Sequence, residues 1–98
     1  MSKTVRIIWS KHSLKNAISI KQYLLKHFTN REVDNFQNLL SDFEKTILNF
    51  PNIYPRTIKK YNLRRAVLSR FLSVYYQSKR DRIIVIAMYD NRQLNPIS

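Results

Sequence analysis

Residues 63–96 read LRRAVLSRFLSVYYQSKRDRIIVIAMYDNRQLNP, and this stretch decides the fold. Short β-branched and aromatic runs (AVL, FLSVYY, IIVIAMY) alternate with polar turns. Val, Ile, Tyr and Phe favour a half-buried pleated surface, so the runs read as strands. Arginine is threaded through them at Arg64, Arg65, Arg70, Arg80, Arg82 and Arg92. Guanidinium groups on a small sheet form a rigid, permanently charged surface suited to phosphate or carboxylate. The sheet therefore reads as the working face, and its partner as an anion.

Upstream of that stretch the periodicity changes. Val5–Trp9 reads as a short strand, and Ser10 is placed to cap a helix. Leu14, Ala17, Ile18, Lys21, Leu24, Leu25 and Phe28 follow at three-four spacing, which predicts the buried stripe of that helix. Thr29-Asn30-Arg31-Glu32 has the form of a capping box, so a second helix begins almost at once. Its stripe is Val33, Phe36, Leu40, Phe43, Ile47 and Phe50, and Pro51 ends it by withholding a backbone donor. Trp9 and the phenylalanines of the two stripes are expected in the core rather than on a base-stacking surface.

After a loop at 51–55, strands are expected near 56–61, 63–68, 71–77 and 82–89. Ile83 to Met88 is apolar without alternation, as in a central strand covered on both faces, or on one face by helices and on the other by a partner. There is no glycine to supply the φ > 0 of tight primed turns, so longer turns through Asn62, Asp81 and Asn91 are expected instead. The order β-α-α-β-β-β-β predicts one α+β domain over 1–98, a helical hairpin packed on a curved antiparallel sheet.

Composition narrows the function. The chain carries 18 Lys and Arg against 6 Asp and Glu, a net charge of +12. The balance is +4 over residues 1–50 and +8 over 51–98, and six basic residues lie between Arg56 and Arg70 with no acidic one. Such a surplus repels itself and is offset by a polyanion or an acidic protein. The absence of cysteine excludes disulfides, thiolate catalysis and cysteine-ligated zinc. His12 and His27 have no carboxylate constellation near them, so no metal or cofactor is expected. No apolar run approaches the roughly 20 residues of a membrane span, and Met-Ser-Lys-Thr opens no signal peptide. A cytoplasmic protein without membrane contact is expected.

The element order, together with Asn49-Phe50-Pro51, Leu63-Arg64-Arg65-Ala66-Val67, Ser73-Val74-Tyr75-Tyr76 and the ending Tyr89-Asp90-Asn91-Arg92-Gln93-x-Asn95-Pro96, resembles the RelE/ParE superfamily of type II toxin–antitoxin toxins. The ending is similar to the D-[TN]-R-Q-x-P of one branch. The resemblance covers essentially the whole chain. It implies a growth-inhibiting toxin held in an oligomeric complex by a cognate acidic antitoxin. It also implies one of two targets. RelE-like members are ribosome-dependent endonucleases that cut mRNA, whereas ParE-like members inhibit DNA gyrase without catalysis, and a shared fold does not choose between them.

RNA cleavage needs a base, an acid and a cation at the phosphate. Laid on the RelE pattern, Arg64 and Arg92 match basic positions and Tyr89 is a candidate phenol, with Tyr75 and Tyr76 close by. The strand arginine falls on Ser73, which carries no charge. The sheet lysine falls on Ala66 unless a one-residue bulge brings Arg65 there, and the tyrosine of a C-terminal helix would fall at or beyond Ser98. Arg70 is a possible substitute cation. The nuclease set is thus Arg64, Arg65, Arg92 and Tyr89, and the anion-contacting set is Arg56, Lys59, Lys60, Arg70 and Arg92. For Arg92 a bond to Asp90 or to the C-terminus that pins the last strand is the competing structural role, and for Arg56, Lys59 and Lys60 it is a solubilising sheet edge. Glu32, Asp34, Asp42 and Glu44 are spread along the second helix, and no pair is placed for acid–base work. The gaps in the nuclease set favour gyrase inhibition over mRNA cleavage, with a non-catalytic RNA-binding module as a third reading.

Overall fold

The computed structural model describes residues 5–58 and 62–93. The expected order holds: β1 (Arg6–Trp9), α1 (Lys11–His27), α2 (Asn30–Asn49), β2 (Arg56–Ile58), β3 (Leu63–Val67), β4 (Leu72–Ser78), β5 (Arg82–Asp90) and a short 3₁₀ turn over Asn91–Gln93. The five strands form one sheet in the order β1-β5-β4-β3-β2, with both helices on one face. From β2 to β5 the pairing is antiparallel, as expected. The sheet is nevertheless mixed, because β1 runs parallel to β5 with Ile7 beside Ile83 and Trp9 beside Val85. Nothing local to β1 encodes that direction. The two helices stand between it and the rest of the sheet, so no hairpin turn dictates its pairing.

The core forms between the helices and one sheet face. Ile20, Leu24, Phe36, Phe43 and Ile47 pack on Ala66, Leu72, Val74, Tyr76, Ile83, Val85 and Met88. Tyr76 stands edge-on to Phe43 with ring centroids 5.6 Å apart, and its hydroxyl donates to the Pro51 carbonyl at 2.8 Å. That bond ties the sheet to the end of α2. Thr29 and Glu32 close the expected capping box at the other end of α2, and the hydrogen bond from Thr29 lowers the Glu32 carboxyl below its ordinary value. Asn62 takes the positive φ, 51°, that glycine would otherwise supply. No helix among the described residues is long and apolar enough to cross a membrane.

Helix α1 departs from its expected orientation. Ser13, Ile20 and Leu24 are buried, while Leu14, Ile18 and Leu25 face outward. The cause is polar. β5 carries one extra residue at Ile86, since Tyr75 pairs with Ala87 but Tyr76 pairs with Val85. Such a bulge frees backbone groups that need partners. Ser10 Oγ donates to the Ile86 carbonyl at 3.0 Å, and Asn16 Oδ1 accepts from the Met88 N–H at 3.0 Å. Ser10 also accepts from the Ser13 N–H as the α1 cap. Ser10, Ser13 and Asn16 are thus turned toward the sheet beside Ile20 and Leu24, and Leu14, Ile18 and Leu25 are turned away. Phe28 and Phe50, both expected in the core, are 41% and 61% exposed because each sits at a helix end.

Two outcomes follow. Ser10→Ala removes a cap and a bulge partner together and should cost about 1–3 kcal/mol in denaturant unfolding. Burial raises the Tyr76 phenol above its ordinary value of 10.0, against an opposing pull from Arg64. A group whose value is raised on folding stabilises fully below its unfolded value, and that contribution is lost as pH rises through the folded value. Tyr76→Phe should therefore cost about 1 kcal/mol at neutral pH while flattening the alkaline fall in stability, measured by denaturant unfolding across that range.

Candidate functional site

The sheet face opposite the helices is open. Strand alternation and pairing place Arg6, Ile8, Arg65, Val67, Ser73, Tyr75, Gln77, Arg82 and Ile84 on it. Past the bulge the phase of β5 reverses, so Ala87 and Tyr89 join this face while Met88 and Asp90 turn inward. Tyr75 and Tyr89 meet edge-to-face with ring centroids 5.8 Å apart. Together with Leu63, Ile86 and Ala87 they line a depression of about 290 Å³. Its wall is mainly apolar, with room for one planar base or one large side chain. Beside it, Arg65 Nη2 lies 3.4 Å from Ser73 Oγ, so a fixed cation stands next to two phenols.

The nuclease candidates do not converge. Arg65 and Tyr89 share the open face. Arg64 pairs with Tyr76 and therefore faces the helix side. Its Nη1 donates to the carbonyls of Tyr54 at 2.7 Å and Asn52 at 3.3 Å, and its Nε is buried without a partner among the described residues. Arg64 thus supports the loop after α2, where carbonyls that follow Pro51 need donors.

Arg92 is also turned away from the open face. It holds Asp90 through three contacts: backbone N–H to Oδ1 at 2.9 Å, Nε to Oδ1 at 3.0 Å and Nη2 to Oδ2 at 2.7 Å. The Asp90 side chain is 1% exposed and that of Arg92 16%. This is a paired charge under a lid of aromatics, with the guanidinium carbon 4.5 Å from the Phe71 ring centroid and 5.5 Å from that of Phe28. The hydrogen bond that Arg92 donates to Asp90 raises Arg92 above its ordinary value, and its charge is satisfied locally. The competing structural role named for Arg92 is the one the geometry supplies.

The anion-contacting candidates are scattered. Arg56 is exposed on the edge strand β2, and Arg70 is exposed in the β3–β4 turn with its guanidinium 5.3 Å from the Phe71 ring centroid. Lys59 and Lys60 lie outside the described residues. Two cations outside both candidate sets, Arg6 and the threaded arginine Arg82, pair across β1 and β5 on the open face. Arg82 also reaches Asp81 at 3.2 Å in an exposed ion pair, which contributes little stability. The alternation of Arg6 with Ile7 was the legible signal; the parallel pairing that makes it matter was not. Among the described residues the carboxylate at this face is that of Asp81, at its edge in the pair with Arg82, and no group of three histidines, aspartates or glutamates could hold a metal ion anywhere in the described chain.

No family model and no curated protein matches the chain in sequence. Solved structures do match in shape. A chain of the chromosomal ParDE toxin–antitoxin system from P. aeruginosa superposes with a TM-score of 0.67 at 12% identity, over 90% of this chain and 95% of that one. A copper-bound mutant toxin from Helicobacter pylori gives 0.59 at 17%, over 92% and 98%. A YafQ mutant from E. coli gives 0.58 at 15%, over 88% and 92%. Two helices on a five-stranded mixed sheet and near-complete mutual coverage lead to one conclusion about architecture: the chain has a RelE/ParE-like fold.

Proposed function

We propose that this chain is the toxin of a type II toxin–antitoxin module, neutralised by an acidic antitoxin, and that it acts in the cytoplasm by ParE-like inhibition of DNA gyrase. The observation that carries the choice of mechanism is the placement of the arginines. Arg64 and Arg92, two of the cations a nuclease would aim at phosphate, are spent on backbone carbonyls and on Asp90 inside the fold. The open face keeps Arg65, Arg6 and Arg82, but among the described residues its carboxylate, Asp81, is paired with Arg82 at the opposite end of β5 from Tyr89, and no imidazole stands beside the phenols to move a proton. A basic, partly apolar face with a shallow depression suits a protein target better than it suits phosphodiester chemistry. The shape matches include a ParDE chain and YafQ alike, so they support the toxin reading and leave the choice of target to the site.

One observation favours the RelE-like alternative. Arg65, Ser73, Tyr75 and Tyr89 place a cation and two phenols on one surface, the minimum for charge stabilisation and proton donation at a phosphate. A non-catalytic RNA binder would use the same face but would not arrest growth.

Induction of the chain alone in a bacterial host separates the readings. Gyrase inhibition should give growth arrest with filamentation, DNA breaks and intact mRNA, relieved by Arg65→Ala. Translation-dependent mRNA cleavage that Tyr89→Phe abolishes would replace gyrase with mRNA as the target, and unimpeded growth would overturn the toxin assignment. Arg92→Ala is unsuitable as the probe. It leaves a buried carboxylate unpaired and should destabilise the fold by about 3–5 kcal/mol, so its loss of effect would report unfolding.

A further inference from the structure

Helix α1 has two faces, and only one is used by the fold. Ser13, Asn16, Ile20 and Leu24 turn toward the sheet. On the other side Leu14, Ile18 and Leu25 are 48%, 57% and 50% exposed. Single exposed apolar residues need no explanation, but these three recur at intervals of four and seven. With Lys21 between them they fill consecutive seam positions of a heptad repeat, the spacing by which one helix packs along another. Phe28, the C-cap residue and 41% exposed, closes the stripe.

The charges around the stripe identify the occupant. α1 contains Lys11, Lys15, Lys21 and Lys26 and no Asp or Glu. Lys11, Lys15 and Lys26 fall along one flank of the stripe, about 20–80° around the helix from Ile18, and Lys21 interrupts its middle. A second copy of this chain is disfavoured, since each copy carries +12 and would bring the same lysines to the contact. A helix with its own apolar stripe and carboxylates beside it would bury the leucines and neutralise the lysines together.

We propose that the outer face of α1 is a docking surface for an acidic amphipathic helix of a partner protein. Identifying that partner with the antitoxin rests on the function proposed above, whereas the surface itself rests on α1 alone. The helix lies along Leu14–Phe28, with apolar residues between Leu14, Ile18 and Leu25 and with Asp or Glu against Lys15 and Lys26. This face is separate from the open sheet face, so the partner can be held without filling the depression between Tyr75 and Tyr89.

The test uses the full chain and a synthetic amphipathic peptide of about three heptads, with leucine at the seam positions and glutamate flanking them. Titration by fluorescence anisotropy should show binding that weakens with added salt. Ile18→Glu and Leu25→Glu, both at exposed positions, should each weaken it by about tenfold or more while thermal unfolding stays unchanged. Equal binding of a scrambled peptide of the same composition, or unaltered binding by both variants, would overturn the proposal. So would a dimer of the chain alone that Ile18→Glu dissolves. Growth arrest by Ile18→Glu expressed without a partner is scored separately, so failure of the toxin reading and failure of the docking surface give different results.

Discussion

The extra residue at Ile86 is the constraint on which the rest of the structure depends. A strand that alternated regularly from Ile83 would send Tyr89 into the helices and Asp90 out to the open face. The bulge shifts the phase by one residue, so Tyr89 meets Tyr75 on the open face and Asp90 is buried beneath the end of the sheet. Everything placed near the C-terminal end of β5 inherits that shift. The bulge in turn holds because α1 supplies Ser10 and Asn16 to the backbone groups it frees. Helix orientation, strand phase and site composition are therefore one coupled arrangement.

That coupling explains the distribution of charge. Burying Asp90 creates a need for a cation at the same place, and Arg92, two residues on, meets it bidentately. Arg64 meets a comparable need where the loop after α2 presents carbonyls to the sheet. Two arginines are consumed by the fold, and those left on the open face are spaced along it rather than focused on one point. Spaced cations around an apolar depression recognise a surface; focused cations with a proton donor and acceptor perform chemistry. α1 shows the same economy. Its polar side serves the bulge, which leaves Leu14, Ile18 and Leu25 outward among lysines.

Much of this was legible in the amino-acid sequence. The strand and helix order, the Ser10 cap, the Thr29–Glu32 capping box and the turn role of Asn62 are local features, and local spacing encodes them. The α2 stripe was legible because Val33, Phe36, Phe43 and Ile47 are both periodic and buried. The α1 stripe was not, because its inner side includes Ser13 and Asn16, and hydropathy cannot show that Ser10 and Asn16 have backbone partners waiting in a strand more than 70 residues away, or that Ser13 bonds back to the Ser10 cap. The unbroken run Ile83–Met88 was readable as a strand covered on both faces, yet its lack of alternation reflects the bulge. Parallel pairing of β1 was likewise hidden, as no turn connects it to β5. At the site, the four residues of the nuclease set carry the right chemistry in sequence, but Arg65 and Tyr89 lie on the open face and Arg64 on the other because strand phase, rather than residue type, decides the face, while Arg92 turns inward to Asp90.

The most direct measurement is the proton–proton distance pattern around Tyr89 in solution, from nuclear Overhauser effects on the labelled chain. Contacts between the ring protons of Tyr89 and those of Tyr75, with a Met88 amide protected from exchange, are what the bulged strand requires. Contacts from Tyr89 to α1 or α2 side chains instead would mean that β5 alternates without the bulge, and the assignment of the open face would fall with it.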